Sequence, residues 1–169
     1  MNGRLMVLVS ACAVLLLTAS LTTRSHAAET GEFTGSWIAN GTRTPFPFGE
    51  GRQVFTFKIA GHVNLQTALG RKKDYWSECV GLADAATGVA GRCVWKDLAG
   101  PELFLTLHSD RLQQGSQVAG TIVGATGPLA GISGDLSFTW SSVIVQTDAD
   151  GIVTMTGQTR NLGGRYRIP

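Results

Sequence analysis

The sequence predicts an all-β protein, a small antiparallel eight-stranded β-barrel with one disulfide, preceded by an N-terminal signal helix. After residue 30 of the 169 residues, helical periodicity is nearly absent, while short runs of alternating apolar and polar residues recur along the chain. Gly, Asn, Asp and Pro bound these runs, as tight turns require. Eight antiparallel strands close into a barrel or fold as two packed sheets, because either arrangement limits exposed edges. We expect the barrel.

The first 27 residues are typical of a cleavable secretory signal peptide. Arg4 precedes an almost unbroken apolar run over 5–17, and small residues occupy the first and third positions before a cut after Ala27. The run is shorter than the roughly 20 residues that span a bilayer. Cys12 suggests a lipoprotein as the alternative, but the apolar run continues past it. We expect a single secreted or periplasmic domain over 28–169, without a stable membrane span.

Eight runs fit strands in chain order. In the longest, 53–65, apolar residues occupy odd positions from Phe55 to Leu65, with polar residues between them. The proline-broken segment 44–51 and the basic segment 69–74 are predicted to be loops. The predicted strands are 35–40, 53–65, 75–82, 89–96, 103–108, 117–123, 134–145 and 151–157.

The two cysteines that remain after signal cleavage are expected to form a disulfide. Cys79 and Cys93 lie seven residues either side of Ala86, which is the midpoint of a turn-like segment. Directly opposed positions on paired strands bring Cα atoms to roughly 4.5–5.5 Å, a span that a disulfide bridges. An exported protein meets an oxidising compartment. Closing this loop contributes on the order of 3 kcal/mol in the chain-entropy description.

Charge and residue types argue against nucleic acid, metal and cofactor as partners. Loss of Arg4 and Arg24 takes the basic residues from 14 to 12, equal to the 12 acidic ones, so the mature domain is formally neutral. No basic stripe remains for nucleic acid. His62 and His108 are its only histidines, and no HxH or HExxH spacing suggests a metal site. His108 is a weak candidate for a catalytic base.

The cysteine register also defines a candidate polar pair. With Cys79 opposite Cys93, Glu78 and Arg92 become diagonal neighbours on one face. Inside the barrel they would form an acid–base or ligand-orienting pair. Outside it they would form a surface ion pair of about 0–1 kcal/mol. Lys96 shares this face and favours the outward orientation, since its ammonium group prefers water.

The glycine-rich segment 124–134 carries a resemblance to a known family. Its spacing resembles the G-x-T-G-x-[FL]-x-G-x-x-G hairpin of the allene oxide cyclase barrel superfamily, which includes plant allene oxide cyclases and dirigent proteins. The matching residues are Gly124, Thr126, Gly127, Leu129, Gly131 and Gly134. The segments 76–81 and 92–95 are similar to the W-x-E-C-V-G and R-C-V-W pattern of some exported bacterial proteins. The superfamily resemblance implies an eight-stranded barrel whose apolar cavity acts on or near a hydrophobic small molecule. It matches no cyclase or dirigent catalytic position, so it assigns none.

Aromatic residues are the candidate ligand-binding set. Those on strands either fill the barrel or line a cavity, whereas Phe46 and Phe48 lie on the predicted Pro-rich loop and could cover the barrel mouth. We expect a calycin-like or allene-oxide-cyclase-like barrel that binds a small hydrophobic molecule without chemistry. The alternatives are an isomerase or cyclase, and a cell-envelope structural module with a filled core. A cavity of a few hundred Å³ would favour the first two. The strand aromatics in this set are Trp37, Phe57, Trp76, Phe104, Phe138 and Trp140.

Overall fold

Eight antiparallel strands form a closed barrel in the computed structural model, which describes residues 28–49, 51–98, 100–111, 113 and 115–169. The predicted signal segment 1–27 lies outside them. Each strand pairs with the next along the chain, and β8 returns to pair with β1, so the predicted barrel is confirmed. The strands are β1 (Glu29–Pro47), β2 (Gln53–Thr67), β3 (Lys72–Asp84), β4 (Gly88–Lys96), β5 (Glu102–Ser109), β6 (Gln117–Ala125), β7 (Ser133–Thr147) and β8 (Val153–Ile168). No helix within the described residues is long and apolar enough to cross a membrane.

The Cys79–Cys93 disulfide joins β3 to β4 at directly opposed positions, as the sequence predicts. The two Cα atoms are 4.1 Å apart. Both cysteines are buried, so their row of side chains faces the barrel interior. Because side chains alternate along a strand, the neighbouring row that contains Glu78 and Arg92 faces outward.

Strand β1 continues through residues 44–47, where the prolines predicted a loop. The Trp37 N–H donates to the Thr159 hydroxyl of β8, and the pairing of β1 with β2 runs without a shift from Trp37 to Pro47. Alternate backbone nitrogens after Trp37, including those of Pro45 and Pro47, therefore face the β8 side. The β8 pairing ends at Arg43, so neither proline removes a ladder hydrogen bond.

Strand β8 continues to Ile168, well beyond the predicted end at residue 157. Beyond residue 157, two glycines and three arginines interrupt the alternation of apolar residues. Asn161 has a positive φ of 54°, and Leu162 after it is buried. This irregularity shifts the inward positions by one residue. Strict alternation of apolar and polar residues therefore does not identify the second part of β8 as a strand.

The glycine-rich segment forms the connection between β6 and β7, with one short 3-10 turn at Gly127–Leu129. Gly131 follows this turn with φ 85°, in the left-handed region that a side chain disfavours. The glycine spacing therefore has a local physical reason in this chain.

The barrel has a filled end and an open end. The filled end carries the β2–β3, β4–β5 and β6–β7 connections, and the open end carries the other four. Large side chains close the interior at the filled end and leave a hollow at the open end. The filling residues include Phe33, Val63, Tyr75, Trp95, Leu105 and Leu162.

Candidate functional site

A cavity of about 320 Å³ occupies the open end of the barrel. Small-molecule sites in proteins start at about 300 Å³, and most are walled by apolar and aromatic side chains. Residues from all eight strands contribute to this wall, which is mainly apolar. The principal apolar residues are Trp37, Phe57, Leu107, Phe138, Trp140 and Met155.

Trp37 forms the floor between the cavity and the filled end. Its side chain is only 1% exposed, and its ring meets the ring of Trp95 edge-on at 6.3 Å between centroids. On the cavity side it meets Phe138 at 5.6 Å and Trp140 at 5.3 Å. The β1–β8 register shifts at this point, and the Thr159 hydroxyl accepts the Trp37 N–H at 2.9 Å. A β-bulge with a side-chain acceptor thus sets the position of the floor.

Trp140 lies directly over the backbone of β8. A Cβ atom at Gly157 would fall 2.2 Å from Cζ2 of the Trp140 indole. Only glycine leaves room for the ring in this place. The absence of a side chain at residue 157 therefore fixes one wall of the cavity.

Arg43 places a positive charge in the cavity wall. It belongs to the inward row of β1, opposite Phe57 of β2 and Val153 of β8. Its guanidinium carbon lies 5.3 Å from the ring centroid of Phe55, and its buried Nε has no hydrogen-bond partner. Burial lowers the pKa of Arg43 from its ordinary value. Arginine nevertheless remains charged in proteins, so the wall carries a cation.

Asp84, the buried acid among the described residues, is committed to other partners. It forms an ion pair with Arg52, and it accepts hydrogen bonds from the Ala86 N–H and the Thr87 hydroxyl, each at 2.9 Å. Arg52, followed by the Ala86 N–H, lowers the pKa of Asp84 from 3.8 to about 2. Asp84 thereby ties the β1–β2 connection to the β3–β4 turn at the rim of the cavity.

The remaining polar groups of the wall lie near the mouth. The Ser109 hydroxyl accepts the Val89 N–H at 3.1 Å and donates to the Arg111 carbonyl at 3.0 Å, so it holds the end of β5 in place. Arg111 adds a second cation to the lining, beside Gln113 and Ser116. Within the described part of the chain, the lining contains no aspartate, glutamate or histidine.

Half of the predicted aromatic set lines the cavity. Trp37, Phe57, Phe138 and Trp140 all belong to inward rows and contribute to the wall. The other four lie elsewhere, because they occupy outward positions or the rim. Phe46 and Phe48 are 60% and 53% exposed, Trp76 packs edge-on against His62 at 4.9 Å, and Phe104 is half-buried.

The three candidate catalytic residues lie on the outer surface, where Glu78 and Arg92 occupy the predicted diagonal positions but do not pair with each other. The Glu78 carboxylate forms an ion pair with the Lys96 ammonium at 3.4 Å. The Arg92 guanidinium instead donates a hydrogen bond to the Gly91 carbonyl at 2.9 Å. His108 contacts Asp110 at 3.0 Å beside the β5–β6 connection. None of the three lines the cavity.

The sequence did contain a signal for Arg43, which the predicted set lacks. Trp37, Ala39, Gly41 and Arg43 share one parity along β1, so the inward row of Trp37 leads to Arg43. The predicted strand ended at residue 40 because the prolines indicated a loop. Continuing the alternation by three residues would have placed an arginine in the barrel.

Comparisons with protein-family models, with curated proteins and with solved structures return no match for the chain. A fold does not by itself define a function. The function is therefore inferred from the cavity and the residues that form it.

Proposed function

We propose that this protein is a binding protein for a small hydrophobic molecule, which it holds in the open end of the barrel. The cavity of about 320 Å³ carries the proposal, because aromatic and aliphatic side chains wall it. Apolar walls with a few polar groups are typical of small-molecule sites. Trp37 and Trp140 offer flat apolar surfaces to such a ligand.

The cavity volume limits the size of the ligand. Each molecule of liquid water takes about 30 Å³, so the cavity has room for roughly ten waters. Ligand atoms joined by covalent bonds pack more closely than water does. We therefore infer a ligand of about ten to twenty non-hydrogen atoms.

The residues of the wall support binding over acid–base chemistry. General acids and bases in proteins are mostly histidine and carboxylate groups, which the described lining lacks. Its serine at 109 is engaged in two backbone hydrogen bonds. These features favour a ligand carrier over the isomerase or cyclase alternative.

We also infer that the barrel acts outside the cytoplasm. The sequence pattern of residues 1–27 is that of an export signal. The Cys79–Cys93 disulfide is compatible with an oxidising compartment.

Binding of the neutral apolar dye N-phenyl-1-naphthylamine tests the proposal. We expect wild-type protein to enhance the dye's emission and the dye to quench tryptophan emission, because Trp37 and Trp140 line the cavity. Ala83→Phe places a ring in the cavity and should weaken binding about tenfold or more. Ala83 is buried in the wall, whereas Ala90 on the adjacent strand is exposed, so Ala90→Phe is the matched control.

Far-ultraviolet circular dichroism and thermal unfolding show whether Ala83→Phe retains the barrel. Val118→Phe serves as a second cavity-filling variant, should the first fail to fold. The proposal is wrong if the folded wild-type protein does not bind the dye. It is equally wrong if both cavity-filling variants bind the dye as well as Ala90→Phe does.

A further inference from the structure

We propose that the ligand is an amphiphile with a carboxylate head group, which the guanidinium of Arg43 binds while the apolar tail lies against Trp37. This inference rests on the proposed function and adds the chemical class of the ligand. Its basis is a partly buried cation, with a buried Nε and no anionic partner among the described residues, in a wall that is otherwise mainly apolar.

Arg43 is poorly satisfied by the protein itself. A charge taken out of water is costly unless a counter-charge or hydrogen bonds replace the solvent. The described contacts of Arg43 provide only the face of the Phe55 ring, and Nε lacks an acceptor. A guanidinium presents five N–H donors in a plane, a geometry that suits the two oxygens of a carboxylate.

The nearby acid does not neutralise Arg43. Asp84 is bound by Arg52 and by the two donors of the β3–β4 turn. Burial is the cause of the pKa shift of Arg43. A carboxylate that enters with the ligand would therefore meet a cation that is free to pair with it.

The distance from Arg43 to the floor fits a head and a tail. Arg43 is six positions beyond Trp37 along β1. At about 3.3 Å per residue and a barrel tilt of roughly 35–45°, the depth along the barrel axis is about 15 Å. An extended chain advances about 1.3 Å per carbon–carbon bond, so a ten-carbon acid is about 12 Å long. Such an acid would reach from Arg43 nearly to the Trp37 ring.

Arg111 at the mouth strengthens the preference for an anion. It is exposed and contributes to the same lining as Arg43. The described lining thus holds two cations and no carboxylate, so an anionic head group inside it would face cations alone. We expect Arg111 to attract the ligand and Arg43 to hold it.

Competition against N-phenyl-1-naphthylamine tests the head group. The competitors are decanoate, decan-1-ol and decylamine, with 2-naphthoate and 2-naphthol as an aromatic acid–alcohol pair. For wild-type protein we expect at least one acid to compete about ten- to hundredfold more strongly than its alcohol, because hydrogen bonds to charged groups contribute that much. Decylamine should compete least, because its ammonium group would face Arg43.

Substitution of Arg43 assigns the effect to one residue. Arg43→Gln should remove the advantage of the acid over its alcohol. Both competitors are measured on the same variant, so a change in dye affinity affects them equally. Arg43→Lys should retain part of the advantage, because a lysine keeps the charge but loses the paired donors. Arg92 is exposed on the outer face, so Arg92→Gln is the matched control and should behave as wild type.

The outcomes separate this inference from the proposed function. Failure of wild-type protein to bind the dye overturns both. Dye binding without preference for either acid overturns the carboxylate head group alone. A preference that survives in Arg43→Gln but disappears in Arg111→Gln overturns the role of Arg43. Thermal unfolding of each variant confirms that the barrel is intact.

Discussion

At the residue scale, two charged groups near the cavity differ in how the protein satisfies them. Asp84 has Arg52 and two further donors, and these interactions stabilise its ionised form. Arg43 has an aromatic face and an unpartnered Nε. An unsatisfied polar group needs an explanation, and a bound ligand is one explanation. Asp84 therefore has a structural role at the rim, whereas Arg43 is the group to which we assign the ligand.

The interactions of Asp84 predict a pH dependence of stability. Its pKa is about 2 in the folded protein against 3.8 ordinarily, so its stabilising contribution is present above pH 4 to 5. That contribution is lost as the pH falls through 4 towards 2, because protonation removes the ion pair. We expect Asp84→Asn to lower the melting temperature by a few degrees at pH 7, and this difference to narrow below pH 4.

Melting curves from pH 7 to pH 2 for wild type and variant provide the measurement. Asp135→Asn is the control, since that carboxylate is exposed and lies 3.9 Å from Arg165. A gap between wild type and Asp84→Asn that stays constant over the whole range would contradict the role given to Asp84.

At the element scale, β1 and β8 together build most of what distinguishes this barrel. Their pairing contains the register shift at Trp37, the Thr159 acceptor and the glycine at 157 under Trp140. These features place two indole rings against each other at the base of the cavity. The shape of the cavity thus depends on local departures from regular pairing.

The close approach at Gly157 predicts a specific cost of adding a methyl group. Gly157→Ala places an atom 2.2 Å from the Trp140 ring, so the ring must move. Overpacking of this kind costs about 1–3 kcal/mol. We expect a lower free energy of unfolding in urea, weaker dye binding and altered near-ultraviolet circular dichroism.

Gly163→Ala on the same strand is the matched control. Its added methyl group would lie 3.4 Å from the nearest atom, the Phe33 carbonyl oxygen, which is an ordinary contact. Equal losses of stability and of dye binding in the two variants would contradict the prediction, because the close approach to Trp140 would then add no cost of its own.

The sequence predicted the regular parts of these elements and missed the irregular ones. All eight strands followed from alternation, and the disulfide register followed from the turn between Cys79 and Cys93. The ends of β1 and β8 did not, because prolines, glycines and a bulge interrupt the period-two pattern there. Arg43 was missed for the same reason, since it follows the predicted end of β1. Whether the aromatic residues leave a hollow depends on how eight inward rows interlock, which no local pattern contains.

At the scale of the whole molecule, the barrel has a filled end and an open end, and we propose that the open end binds the ligand. Large side chains close the filled end, and the open end keeps a cavity. The side chains that line this cavity lack the van der Waals contacts that a filled core would provide. The disulfide braces β3 and β4, and neither cysteine lines the cavity. A filled end and a cross-link together allow a hollow in a domain of this size.

The mature form of the molecule is predicted to begin at Ala28. Cleavage after Ala27 follows from the signal pattern, and the disulfide should form after export. Intact-mass spectrometry of protein isolated from its host should give the mass of residues 28–169 less two hydrogens. Treatment with a reductant and a thiol-blocking reagent is the control, and it should add two labels. Retention of residues 1–27, or labelling without reductant, would contradict the prediction.

The two prolines at the end of β1 also bear on self-association. Beyond Arg43 the strand pairs with β2 alone, so its other edge could accept a strand from a second molecule. Strand addition needs N–H donors along that edge, and Pro45 and Pro47 occupy the positions whose nitrogens face it. The prolines that made residues 44–47 look like a loop thus remove two N–H donors that strand addition at this edge would use.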